Sequence, residues 1–102
     1  MKIDIIEINK VLSNEIRLRI LQMLKEPEKH FPPHEDLGHF DDGVCVQYIR
    51  KKVGLSQSTI SHYLSMMHKV DLVVPTRHGK WTYYKRKEET VQEYLQTIKY
   101  EL

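Results

Sequence analysis

Apolar residues recur at helical spacing along most of this chain and lose that spacing in a single stretch. Residues 2–12 predict a first helix, with Ile3, Ile6 and the next-turn pair Lys10 and Val11 on one face and Ile5, Ile8 and Leu12 on a second. A helix apolar on two sides is ordinarily buried on two sides, against its own domain and against a second surface. Ser13 and Asn14 supply an N-cap for a second helix over residues 14–25. Its stripe is Ile16, Ile20, Met23 and Leu24, widened by Leu21, and Pro27 ends it.

Between residues 26 and 43 the periodicity fails. Pro27, Pro32, Pro33, Gly38 and Gly43 stand among acids and histidines, the composition of a surface loop. So long a loop in so short a chain is expected to be either functional or loosely ordered.

Helical spacing returns with Cys45, Ile49 and Val53, which predicts a third helix from about Val44 to Val53 behind the possible caps Asp41 and Asp42. Gly54-Leu55-Ser56 then forms a turn and an N-cap. A fourth helix follows over residues 57–69, with Ile60, Leu64 and Met67 inward and Tyr63 flanking them. Two short helices joined through a glycine-containing turn make a helix-turn-helix. Residues 73–86 predict a two-stranded β-hairpin, its strands Leu72–Thr76 and Trp81–Tyr84 and its tip Arg77, His78, Gly79 and Lys80. Val91, Tyr94, Leu95, Ile98 and Leu102 mark a last helix from about Glu88. The expected fold is mainly α with a small β-hairpin, a winged helix-turn-helix, in one domain spanning residues 1–102 with 26–43 as an inserted loop.

Composition narrows the function. The chain has 102 residues, a single cysteine and four glycines. None of the glycines lies in a phosphate-cradling pattern, which argues against a nucleotide-binding enzyme. No apolar run approaches the ~18–20 residues of a membrane span, and no signal peptide is visible, so a cytoplasmic protein without a membrane partner is expected. The net charge of +2 conceals a strong division along the chain. Residues 26–46 carry Lys29 against six acids, and residues 88–102 carry Lys99 against four glutamates. Residues 47–87 carry nine basic groups against Asp71 alone. That excess extends over the helix-turn-helix and the hairpin, and it predicts a surface for a polyanion.

The outward face of the fourth helix is Gln57, Ser58, Ser61, His62 and Ser65, with Thr59 at its edge. A merely solvated face is usually richer in Lys and Glu, which are better helix formers. Small uncharged donors and acceptors instead suit close approach to base edges in the major groove. Ser56, at the cap, can join the helix N-terminus in holding a phosphate oxygen.

Three stretches carry a family resemblance: L-S-N-E-I-R-L-R-I-L-Q-M-L, L-S-Q-S-T-I-S-H-Y-L and R-H-G-K-W-T-Y-Y. Over about residues 10–100 the chain resembles the ArsR-type winged-helix regulators, and the helix-turn-helix run is the most specific part. The resemblance implies a homodimer paired through its first and last helices, binding a twofold-symmetric double-stranded operator and repressing transcription. It places Ser58, Ser61 and His62 where the family reads bases, and Arg77 and Lys80 where its wing meets the backbone or minor groove.

Many members of that family respond to metals or metalloids. The arsenic-type site has two cysteines around one residue at the start of the third helix. Here Cys45 matches the first and Gln47 replaces the second, and an amide is a poor ligand for soft ions. The zinc-type site needs histidine in the last helix, and residues 88–102 contain none. No metal cofactor is therefore expected, and the inducer is unspecified. Two lesser readings stay open. His30, His34, His39, Asp41 and Asp42 are acceptable zinc ligand types in a loop near Cys45, and Cys45 near a helix N-terminus could serve as a redox sensor. Its shared face with Ile49 and Val53 favours an inert thiol. The functional alternatives are a winged helix turned to protein or RNA binding, though A-form RNA closes its major groove to a reading helix. A small enzyme using the loop histidines is a third class, and no nucleophile–base pairing supports it.

Overall fold

The computed structural model describes residues 3–102 and contains five α-helices and a three-stranded antiparallel sheet. The helices are α1 (Ile5–Leu12), α2 (Glu15–Lys25), α3 (Val46–Val53), α4 (Gln57–Lys69) and α5 (Glu88–Glu101). The strands are β1 (Val44–Cys45), β2 (Val73–His78) and β3 (Trp81–Arg86), in the order β1-β3-β2. Among the described residues no helix is long and apolar enough to cross a membrane. The predicted winged-helix layout is the observed one, with corrections at the start of the third helix and in the cap and hairpin readings beside it.

One correction concerns Val44 and Cys45. They do not open the third helix but pair with the wing, Val44 against Tyr84 and Cys45 against Tyr83, so the expected two-stranded hairpin gains a third strand. The approach needs Gly43, whose φ is +92° and whose added Cβ would sit 1.9 Å from the Tyr84 carbonyl oxygen. Asp41 and Asp42 accordingly cap nothing. Asp42 Oδ2 lies 2.5 Å from His78 Nε2, and the Asp41 carbonyl accepts from Lys85 Nζ at 3.4 Å, so both brace the wing.

The 26–43 loop, expected to be either functional or loosely ordered, is mostly exposed but pinned by buried residues. Pro27–Lys29 forms a single 3-10 turn, after which Phe31 and His34 are buried. Two donors converge on His34 Nδ1, the Asp36 N–H at 3.2 Å and the Tyr83 hydroxyl at 3.0 Å. A backbone N–H can only donate, so Nδ1 is the acceptor and the ring proton sits on Nε2.

The rest follows the pattern. Asn14 Oδ1 caps α2 by accepting from the N–H groups of Ile16 (2.9 Å) and Arg17 (3.0 Å). Ile20, Met23 and Leu24 of α2 meet Ile8 and Val11 of α1, Ile49 of α3, and Ile60, Leu64 and Met67 of α4 in one core. The helix-turn-helix corner closes at Gly54, left-handed at φ +72°, whose N–H donates to the Arg50 carbonyl at 2.9 Å. Arg17, a buried residue the periodicity gives no reason to expect inside, donates from Nε to the Val11 carbonyl at 2.7 Å. Its guanidinium stands 4.8 Å from the Tyr63 ring centroid, which ties the α1–α2 corner to α4.

Candidate nucleic-acid interface

α4 presents the two faces its sequence demands. Ile60, Leu64 and Met67 are fully buried, which fixes the helix's rotation and turns Gln57, Ser58, Ser61, His62 and Ser65 to solvent, with Thr59 half-buried at the edge. Ser56 is the N-cap. Its Oγ accepts from the Thr59 N–H at 3.3 Å and lies 3.0 Å from Thr59 Oγ1 and 3.3 Å from Ser58 Oγ. Three hydroxyls thus gather at the positive end of a 13-residue helix.

The outward face is also tied to α3. Gln57 Nε2 donates to Ser61 Oγ at 3.1 Å, and Gln57 Oε1 accepts from Gln47 Nε2 at 2.9 Å across the turn. Gln47 Oε1 in turn accepts from Arg50 Nε at 3.0 Å. Gln47 and Arg50 are members of the site that their sequence positions did not single out. The only available signal was the placement of polar side chains on the α3 flank facing the turn.

The wing turns on Gly79 and Lys80, with His78 paired to Trp81. Arg77 folds over this turn, its Nε donating to the Gly79 carbonyl at 2.8 Å, and Lys80 Nζ lies 5.1 Å from the Trp81 ring centroid. Both cations are exposed at the tip. A cleft of about 440 Å³ between wing and α3 is lined by Trp81, Tyr48, Gln47, Arg50 and Lys51, with His34 and Glu35 behind. Its cations, Arg50 and Lys51, come from α3, and the wing contributes Trp81.

The basic excess is not all available there. Arg86 binds Glu88 through Nε (2.7 Å) and Nη2 (2.5 Å), and holds that carboxyl below the usual range. Lys87 Nζ lies 2.9 Å from Asp71, the single acid of the block. These two cations anchor the root of α5, at the opposite end of the hairpin from its tip.

The residues considered for sensing fall elsewhere. Cys45 is 1% exposed within β1, and burial pushes its thiol pKa up, the reverse of what a redox-sensing thiolate needs. Gln47, which stands where the arsenic-type site has its second cysteine, is hydrogen-bonded to Gln57 and Arg50. His34 is held by Tyr83 and His78 by Asp42, and among the described residues no three His, Cys, Asp or Glu side chains come together.

Comparison with known proteins agrees with this geometry. The sequence model of the bacterial regulatory proteins of the arsR family matches residues 44–74, from β1 to the start of β2. The HTH-type transcriptional regulator YbzH of Bacillus subtilis is 47% identical over 97 residues, covering 95% of this chain and 97% of that protein. A protein of Halobacterium salinarum named as an arsenical resistance operon repressor, ArsR2, is 39% identical over 62 residues, covering 61% of this chain and 51% of its own. Among solved structures, NolR from Sinorhizobium fredii superposes with a TM-score of 0.62 at 26% identity, covering 90% of this chain and 77% of that one. With its helix-turn-helix, wing and near-full-length relative, this chain belongs to the ArsR family of DNA-binding, helix-turn-helix transcriptional regulators.

Proposed function

We propose that this chain, acting as one winged-helix unit over residues 1–102, is a homodimeric repressor that binds a twofold-symmetric operator. The observation that carries the reading is the outward face of α4, where Gln57, Ser58, Ser61 and His62 stand exposed and uncharged on a helix whose rotation the core fixes. Side chains of that size and chemistry read base edges in the major groove. Ser56 and Thr59, at the helix start, hold a backbone phosphate, and Arg77 and Lys80 of the wing contact flanking DNA.

Dimerisation is supported by the other side of the molecule. α1 and α5 are clasped, Tyr94 Oη donating to Asn9 Oδ1 at 2.5 Å and the Ile3 N–H donating to Glu93 Oε2 at 2.9 Å. Together they expose Ile6 (60%), Leu95 (50%), Tyr100 (70%) and Leu102 (89%). A second copy laid against α1 and α5 would bury part of this apolar surface, Leu95 included, and the two α4 helices would meet half-sites one helical turn apart, ~34–36 Å.

The test is a fluorescence-anisotropy titration on duplex from the gene's own upstream region, with a scrambled duplex of equal length alongside. A preference of about 10³-fold or more is expected. Replacing Ser61 and His62 by Ala should remove ~1–3 kcal/mol of discrimination per lost base contact while leaving scrambled-duplex binding nearly unchanged. Equal loss on both duplexes would place the reading surface elsewhere.

A further inference from the structure

The side chains that link α3 to α4 have a direction as well as a geometry. Arg50 Nε donates to Gln47 Oε1, Gln47 Nε2 to Gln57 Oε1, and Gln57 Nε2 to Ser61 Oγ, at 3.0, 2.9 and 3.1 Å. A guanidinium has donors only, so the oxygen of Gln47 must face it. The nitrogen of Gln47 then faces Gln57 and requires an oxygen there. That leaves the nitrogen of Gln57 for Ser61, whose oxygen accepts and whose own proton is turned outward. Reversing either amide would set N–H against N–H. One donor-only group on α3 therefore dictates which atoms of two exposed α4 side chains donate and which accept.

We propose that Arg50 and Gln47 are specificity-determining positioning residues, which set the hydrogen-bond polarity that Gln57 and Ser61 present to bases. The inference rests on α4 being the reading helix. With polarity fixed this way, Gln57 keeps one lone pair on Oε1 and one proton on Nε2, the combination that meets N6 and N7 of adenine. Ser61 offers a proton to an acceptor such as guanine O6 or thymine O4. In the free protein the Gln47–Gln57 and Gln57–Ser61 links are exposed, and water satisfies either polarity at little cost. Docking expels that water, and a wrongly turned amide would then hold a buried donor against a donor. The effect belongs to discrimination between bases, with little weight in the stability of the fold or in binding to arbitrary duplex.

Two variants separate this role from a merely structural one. Gln47→Glu supplies acceptors on both sides, so it keeps the bond from Arg50 but obliges Gln57 to turn its nitrogen toward α3 and its oxygen toward Ser61. Gln47→Met keeps the length and offers no polar anchor. Binding of the wild-type protein and both variants is measured on duplexes carrying each single-base substitution of its preferred site, with thermal unfolding as the check on folding. For Gln47→Met, preference at the base pairs facing Gln57 and Ser61 should flatten by on the order of tenfold and remain intact elsewhere. For Gln47→Glu, the ranking of bases should change at those same pairs, while the added negative charge lowers affinity for all duplexes alike. Variant preference patterns that superpose on a sharp wild-type pattern would overturn this inference alone. A wild-type protein without preference at any position would overturn the reading role of α4, and the inference with it.

Discussion

The 26–43 segment and the two terminal helices dispose of their apolar and aromatic side chains in opposite ways. The segment has no periodicity and carries six of the chain's acids, yet Phe31 and His34 are each 6% exposed, Phe31 within the core cluster and His34 against the rings of Tyr48, Trp81 and Tyr83. α1 and α5 are strongly periodic, yet they leave Ile6, Leu95, Tyr100 and Leu102 in solvent. Periodicity therefore reports how much apolar surface an element must bury, without saying which surface will cover it. A segment lacking it can still be pinned at one or two points, here by Phe31 in the core cluster and by His34 on Tyr83 of β3. The segment without periodicity sends two side chains into the interior, and the strongly periodic helices keep large apolar side chains exposed.

The contrast breaks most visibly at Phe31. Replacing it by Ala removes a buried aromatic ring from the core cluster and should cost ~3 kcal/mol or more. The loss should appear as a lower urea midpoint with an unchanged slope. A loop lying loosely on the surface would give a change within about 0.5 kcal/mol, and that result would mean that Phe31 does not pin the segment.

On the other side of the comparison stands Leu95. Leu95→Glu places a charge on a half-exposed position of α5, so it should leave monomer folding nearly intact while abolishing the dimer. Sedimentation should then report a single species at monomer mass for the variant, against the proposed dimer for the wild-type protein. If the variant keeps its dimer, the α1–α5 face is not the interface, and its exposed residues need a different occupant.

How much of this was legible in the sequence depends on the range of the interaction that decides each feature. Helix rotation is a local property: Ile60, Leu64 and Met67 fix the inward side of α4, so the outward set of Gln57, Ser58, Ser61 and His62 could be read directly. The cap Asn14 and the corner glycine Gly54 are local in the same sense. β1 is a two-residue strand whose V-C-V sequence suits a helix start equally well, and only its pairing with Tyr83 and Tyr84, some forty residues on, decides otherwise. The burial of His34 likewise depends on Tyr83, 49 residues away. Gln47 was legible only as a missing ligand, because its partner Gln57 becomes a neighbour only once the helix-turn-helix corner has closed. The basic block was visible as a total, but the commitment of Arg86 and Lys87 to Glu88 and Asp71 was not.

The smallest expected effect sharpens the comparison within a single helix. α5 is anchored at its root and bare beyond it. Thr90 is fully buried and donates to Asp71 Oδ2 at 3.0 Å, Lys87 Nζ lies 2.9 Å from the same oxygen, and Val91 enters the core. The hydrogen bond from Lys87, and after it the one from Thr90, holds the Asp71 carboxyl below its ordinary pKa, while the Lys87 ammonium is correspondingly raised. A lowered folded-state pKa means stability that is present above the ordinary carboxylate range and is lost as pH falls through the folded value. Asp71 sits at φ +66°, a conformation Asn also tolerates, so Asp71→Asn removes the charge with little backbone penalty. At pH 7 the variant should unfold at a midpoint lower by no more than a few degrees, since a partly exposed pair is screened. The two unfolding curves should converge as pH falls from the ordinary carboxylate value of about 4 through the lower folded-state value of Asp71. A gap that persists unchanged into acid would mean that the root of α5 is held by the buried Thr90 and Val91 alone, with the charge of Asp71 adding nothing to them.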